Sequence, residues 1–463
     1  MADVSAPLPT RPRLADHVLV RRHLVTPEAG GEAVETIVLH DTRTAELLRF
    51  SARVLGLLTQ ADGTRDIDGI ALAAARAGVL HRRNELRQLL EELHGRGLLV
   101  DGIDAPVPVA DAPAPPDRPV RALPDFSLQC DGSGTCCRQY SSIAFTDEEA
   151  RRARTFVPIL RGGSLPPERV FLPLAGLTPP GPEPHAHAVA MIDGACAYLG
   201  DEGRCAIHAA GGLEAKPRPC AIYPATFVDD GAAVRVSIKV ECVCVANSLD
   251  AGGASGAAPL VSAEVRRVAD LDPAVSVRVL PAQIAIDRAG AFLTRVAYVA
   301  WADGFFPRIP GVPDIARTFV SEAAALGAGT ATDLLPLVDA FHARASAAAA
   351  TADEWRGSRD AARIGRRRVA TAAKVLLDRL HAAPDDLPRC TDPALETLYA
   401  RATIFGHHLV GEGSRTLVDA LRDRAVRILV ARAMPPSGRR DSLPLVEAMT
   451  RGHGLDRYVD DVQ

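Results

Sequence analysis

Two apolar runs near the start carry the pattern of strands. Residues 17–25, HVLVRRHLV, and 33–40, AVETIVLH, are rich in β-branched side chains, and the TPEAGGE between them is a Pro/Gly turn, which predicts a β-hairpin. TAELLRFSARVLGLL follows, with Leu47, Leu48, Val54, Leu55 and Leu58 near helical spacing. DGTRDIDGIALAAARAG reads as a turn and a short helix. NELRQLLEELHGRGLLV closes the region, with Asn84 as N-cap, Leu86, Leu89, Leu90 and Leu93 as the stripe, and Gly95 and Gly97 ending the helix before a short strand. Residues 101–124 hold seven prolines and no period, as an extended linker does.

From about 255 onward the period becomes helical. DPALETLYARATIFGHHL starts with Asp392 as N-cap and Pro393 at the first helical position, and puts Leu395, Leu398, Tyr399, Ala402, Phe405 and Leu409 on one face. SRTLVDALRDRAVRILVARA and ADEWRGSRDAARIGRRRVATAAKVLLDRLHA also read as helices. Arg366, Arg367 and Arg368 within the latter read as a solvated face. The expected fold class is α+β, mainly helical. It comprises a small winged-helix N-domain (1–100), the linker (101–124), a cysteine-rich metal-binding middle domain (125–250) and a helical C-terminal domain (255–463).

Composition narrows the setting. The 463 residues are 47% hydrophobic and 24% charged, enough apolar material for two to four domains. Net charge is −4 and no basic recognition helix stands out, so neither nucleic acid nor a membrane surface is expected as a partner. No run of eighteen apolar residues occurs, and MADVSAPLPTRPRLADH has no apolar segment of signal-peptide type. A cytoplasmic location is expected, where thiols stay reduced.

The cysteines change the picture. Eight of the nine fall between 130 and 244: Cys130, Cys136, Cys137, Cys196, Cys205, Cys220, Cys242 and Cys244. Cys390 stands apart in LPRCTDP and is expected to be no ligand. In CDGSGTCC, Gly132 and Gly134 let the backbone fold tightly enough for its thiols to converge. GACAYLGDEGRCAIH puts Cys196 and Cys205 either side of a Gly-containing turn, like a hairpin knuckle. PRPCAIYP fixes Cys220 between prolines, and ECVCV as a strand would turn Cys242 and Cys244 to one face. Converging thiolates suit zinc or an iron–sulfur cluster and exclude magnesium and calcium. Eight thiols suffice for two four-thiolate sites, or for one site plus extras. Of adjacent Cys136 and Cys137, one is expected to ligate and the other to face a second site or none. His185 and His187 in PEPHAHAV, and His208 three residues after Cys205, are weaker candidates. GEGSRT (411–416) does not make a nucleotide loop, and no Rossmann fingerprint, P-loop or serine-hydrolase elbow occurs.

The order C-x5-CC, C-x8-C-x2-H, K-P-x-x-C-x-x-Y-P and C-x-C resembles the YkgJ-type cysteine-cluster family, described as zinc- or iron-chelating. That family opens with C-x2-C-x2-CC; here Ser133 holds the place of the second cysteine. CAYLGDEGRCAIHAAGGLEAKPRPCAIYP is closest to the flagellin lysine N-methylase branch, although Ala225 stands where an Arg commonly follows the Tyr-Pro. The resemblance covers about 125–250. It implies a 4Fe-4S cluster on the cysteines and methyl transfer from S-adenosylmethionine to lysine, a protein-lysine N-methyltransferase activity. The first hundred residues, through LHDTRTAELLRF, DGTRDIDGIA and LLEELHGRGLL, resemble PqqD-like peptide-recognition domains. This implies a peptide or protein substrate added as a strand to the hairpin edge. The alternative is a non-enzymatic zinc- or iron-binding interaction or structural protein.

Overall fold

The computed structural model describes residues 7–26, 31–41, 47–79, 82–102, 114–130, 132, 134–139, 143–156, 167–174, 186–200, 202–249, 257–272, 275–327, 333–353, 361–390, 392–410, 416–435, 440–452, 455 and 458. The chain has mixed α/β content, about 48% helix and 19% strand. Among the described residues no helix is long and apolar enough to cross a membrane. Contacts divide the chain into two compact units. The first comprises 1–110, 137–221 and 353–362; the second comprises 111–136, 222–352 and 363–463.

In the first unit the hairpin forms as its pattern predicts. Strand Val18–Val25 runs antiparallel to Val34–Asp41, from Val18 opposite Asp41 to Val25 opposite Val34. The next segment departs from expectation. Leu47–Ser51 is a strand paired with Val34–Asp41, and the helix Ala52–Leu58 begins only after it. The reason is visible in Leu48-Arg49-Phe50. Leu48 and Phe50 pack on the core while Arg49 is exposed, a period of two that outweighs the helical spacing of the leucines. Strand Met191–Ile192 lies parallel to Val18–Val25 at His23 and Leu24, and Ala195–Cys196 turns back beside it. The hairpin therefore occupies the interior of a five-stranded sheet, with Leu47–Ser51 as one end strand. The side of the hairpin expected to be an open edge is paired at these positions.

Two helices cover one face of this sheet. Asp66 caps Ile67–Arg76 by accepting the Gly69 N–H at 2.7 Å. Arg83–Gly95 starts two residues earlier than Asn84 as N-cap would set it. Arg82 is the N-cap, and the Glu85 carboxylate accepts its backbone N–H at 3.2 Å. Leu86, Leu90 and Leu93 join Val20, Ile37 and Leu39 in one core.

The second unit combines a small sheet with long helices. Its four-stranded sheet runs in the order Arg278–Val279, Ala225–Asp229, Val234–Ile238, Val120–Ala122. The end of the proline-rich stretch is thus a strand, parallel to Val234–Ile238. Asp392 and Pro393 begin the helix Pro393–Phe405 as expected, and the Asp392 carboxylate accepts the Leu395 N–H at 3.1 Å. The arginine cluster is a solvated face only at Arg367, which is exposed. Arg366 is buried and Arg368 pairs with Asp441 at 3.1 Å, because this side of Ala361–Ala382 packs into the unit.

Helix Leu417–Ala433 is buried nearly all round, so its polar side chains must be paired inside. Arg427 is 1% exposed. Its Nη2 meets Asp423 Oδ2 at 2.6 Å and its Nη1 meets Glu447 Oε2 at 3.1 Å. Glu447 also accepts Arg424 Nη1 at 3.0 Å and the Tyr399 hydroxyl at 2.5 Å. One turn on, Arg432 Nη2 donates to Glu396 Oε2 at 2.6 Å and to Asp314 Oδ1 at 3.0 Å. Asp314 also caps the helix Ile315–Leu326. Burial pushes the Glu447 carboxyl up, but Arg427, Arg424 and the Tyr399 hydroxyl bring it below its ordinary value.

Truncating Glu447 to Ala leaves two buried guanidinium groups short of a carboxylate. It is expected to lower unfolding free energy by about 3–5 kcal/mol in a denaturant titration, whereas Arg427→Met combined with Glu447→Leu is expected to lower it less. Because the folded-state Glu447 pKa is depressed, its contribution is complete above the unfolded carboxyl value, about 4.3, and is lost as pH falls through the folded value. Melting temperature should drop below about pH 4.3, with a shallower drop in Glu447→Gln; equal slopes would overturn this assignment.

Candidate metal centre

All eight clustered cysteines lie in described residues, and none of the nine is in a disulfide. The two units divide them evenly. Cys130, Cys136, Cys242 and Cys244 belong to the second unit, and Cys137, Cys196, Cys205 and Cys220 to the first. The boundary falls between the adjacent thiols Cys136 and Cys137.

In the second unit, Cys130 follows strand Ser127–Leu128, which pairs with Ala258–Pro259. Ser248 ties this strand end down. It accepts the Gln129 N–H at 2.9 Å, and its hydroxyl donates to Cys244 O at 2.6 Å. The Cys130 and Cys244 sulfurs stand 4.0 Å apart. Two thiolates about 2.3 Å from one zinc at the tetrahedral angle are about 3.8 Å apart, so this pair has the spacing of two ligands sharing one soft cation. Gly132 and Gly134 have φ of 68° and 65°, the left-handed turns that glycine permits, on the way to Cys136.

The strand expected for ECVCV does not form. The chain leaves the sheet after Ile238, Cys242 becomes an N-cap, and Cys244 sits in the first turn of helix Val243–Asn247. Cys244, Val245 and Ala246 are buried in succession, which an alternating strand with one wet face cannot provide. Both thiols are nonetheless buried.

In the first unit the expected knuckle is present. Leu199 bridges to Cys205, Gly200 N–H donates to Arg204 O at 2.9 Å, and Ala206 N–H donates to Tyr198 O at 2.8 Å. Cys205 is the N-cap of Ala206–Ala215. Burial pushes the Tyr198 phenol up, and the neighbouring Cys196 and Cys205 thiols add to it. Tyr198 donates to Ala153 O at 2.9 Å, fixing the knuckle on helix Asp147–Ala153. Cys220 lies in the short helix Arg218–Ile222, where Arg218 N–H donates to Glu149 Oε1 at 2.6 Å. The knuckle and the Cys220 turn thus hang from one helix.

Among the described residues no group of three or more His, Cys, Asp or Glu is placed to hold a metal ion. The donor set suits a soft cation in its chemistry and in the spacing of Cys130 and Cys244. His187 Nε2 is 2.9 Å from Asp147 Oδ1, and His208 is exposed. His185 and residues 411–415 of GEGSRT lie outside the described residues.

Two features of the second unit escaped sequence reasoning. A cavity of about 360 Å³ is lined by Phe126, Leu249, Thr397, Leu398 and Arg401 among others. Phe126 and Leu249 flank the segments carrying Cys130 and Cys244. Separately, Asp230 is buried, receives Arg235 Nε at 2.7 Å and the Ala233 N–H at 2.6 Å, and lies 3.6 Å from His407 Nε2. Burial pushes Asp230 up, yet His407, these N–H donors and Arg235 bring it well below its usual value. Burial pushes His407 down. Spacing in the sequence gives no signal for a pair separated by so long a stretch.

No family model matches the chain, nor does any curated protein or solved structure.

The Cys390 thiol is pushed up to about 11 by burial and by the Glu396 carboxylate. Its alkylation by iodoacetamide at pH 8 is expected to run on the order of a hundredfold slower than that of an ordinary thiol, read by peptide mapping. Labelling of Cys390 as fast as exposed Cys130 would contradict this environment.

Proposed function

We propose that the chain is a cysteine-cluster protein that binds zinc or an iron–sulfur cluster through the thiols of 130–244. The observation that carries this is the Cys130–Cys244 pair, held at 4.0 Å with its strand end and helix clamped by Ser248. Buried thiols outside any disulfide, such as Cys242 and Cys244, add to it. Full coordination then accompanies metal uptake, since binding couples to folding at sites of this kind. The fold reading that goes with it is a winged-helix N-domain, a cysteine-rich middle domain and a helical C-terminal domain.

A second reading is a protein-lysine N-methylase that draws on S-adenosylmethionine, in keeping with the resemblance of CAYLGDEGRCAIHAAGGLEAKPRPCAIYP. On this reading the methyl donor would bind in the cavity of about 360 Å³ beside the Cys130 and Cys244 segments. Leu47–Ser51, as the end strand of the five-stranded sheet, gives a substrate peptide an edge to join.

The test is anaerobic purification with metal analysis and visible spectroscopy. Bound iron and sulfide with brown colour support the cluster, bound zinc without colour supports a structural zinc site, and a metal-free folded chain that takes up neither sinks the proposal. Cys196→Ser, Cys205→Ser and Cys220→Ser should each lower bound metal and melting temperature, while Cys390→Ser should leave bound metal unchanged; full metal content in the first three would count against these ligands. Methyl transfer to protein lysine, followed by mass spectrometry in lysate supplied with S-adenosylmethionine, separates the enzyme from a non-enzymatic metal-binding protein.

A further inference from the structure

The thiols divide by unit in a way that the family signature does not. That signature runs all eight thiols together in one order, from Cys130 to Cys244. We infer that the chain instead builds two separate metal centres. Cys130, Cys136, Cys242 and Cys244 hold one soft divalent cation in the second unit; Cys137, Cys196, Cys205 and Cys220 hold another in the first. This rests on the metal-binding reading above and deepens it.

Four observations point the same way. Each unit contains four of the clustered thiols, the number that closes a tetrahedral thiolate site. The boundary passes between Cys136 and Cys137, which begin the helical turn Cys136–Gln139. Neighbours on a helix project about 100° apart, so this turn aims its two thiols in different directions. In the second unit, the Ser248 clamp already places Cys130 and Cys244 at ligand spacing, and Cys242 lies two residues before Cys244. Gly132 and Gly134 hold the left-handed φ that a tight turn between Cys130 and Cys136 needs. In the first unit, helix Asp147–Ala153 carries both the Cys196–Cys205 knuckle, through Tyr198, and the Cys220 turn, through Glu149. A common scaffold for three thiols is what a single centre needs.

The experiment is an anaerobic zinc titration of the reduced full-length chain against a chromophoric chelator. Two zinc ions per chain are expected. Zinc at one equivalent should protect Cys130, Cys136, Cys242 and Cys244 together, or Cys137, Cys196, Cys205 and Cys220 together, from alkylation, as read by peptide mapping of the wild-type chain. Cys130→Ser/Cys244→Ser and Cys196→Ser/Cys205→Ser should each keep one zinc, protecting the thiols of the untouched set. One zinc per chain, protection that mixes the two sets, or a Cys130–Cys244 disulfide in the freshly isolated protein would overturn the two-centre assignment while leaving a metal protein. A folded chain that binds no zinc overturns the metal reading itself, and this inference with it.

Discussion

The second unit is organised by a guanidinium group that cannot reach water. Arg427 sits in a helix with no wet side, and Asp423, Glu447, Tyr399 and Tyr458 are arranged around the demand it makes. A charge buried in this way is tolerable only when its donors are met in good geometry, and losing one partner costs more than the pair contributes. That asymmetry fixes the rotation of Leu417–Ala433 and the depth at which Ser442–Gly452 and Pro393–Phe405 pack. Arg432 repeats the arrangement a turn later and joins the start of Ile315–Leu326 to the same frame. Greasy contacts alone would allow these helices to slide; the planar forks do not.

The thiol segments follow the opposite logic. They sit on short elements: a two-residue strand, one-turn helices and a knuckle. Three of these segments are anchored by a side chain that is not a cysteine. Ser248 anchors Cys130, Tyr198 anchors the knuckle, and Glu149 anchors the Cys220 turn. Short elements of this kind can adjust their thiols to a coordination sphere as a metal binds. A rigid bundle like the one around Arg427 could not.

The sequence discloses these features unequally. The hairpin, the Asp392-Pro393 helix start and the knuckle around GDEG are local signals, and they are where the pattern puts them. The strand Leu47–Ser51 was hidden because its leucines satisfy two periods at once, and pairing with Val34–Asp41 decides between them. ECVCV alternates like a strand but buries three residues in succession, a choice made by tertiary packing. Arg366 sits in a charged run that reads as surface, and its burial depends on a helix over seventy residues later in the chain. The thiols themselves were legible from composition alone. How they group was not, since grouping depends on which segments the units recruit.

The sheet of the first unit also sets a timetable for synthesis. Thr26 donates to Asp193, 167 positions further along the chain, and Met191–Ile192 lines up beside His23 and Leu24. At a ribosomal rate of 5–20 residues per second, roughly 10–30 s separate the emergence of the hairpin from that of the strand that completes it. During that interval the flank of Val18–Val25 that receives Met191–Ile192 is a vacant template, and nascent chains on one messenger carry it side by side. A trigger-type chaperone resting on the N-terminal hairpin, or a slowly translated stretch placed after residue 196, would protect the same backbone groups that the finished sheet keeps satisfied.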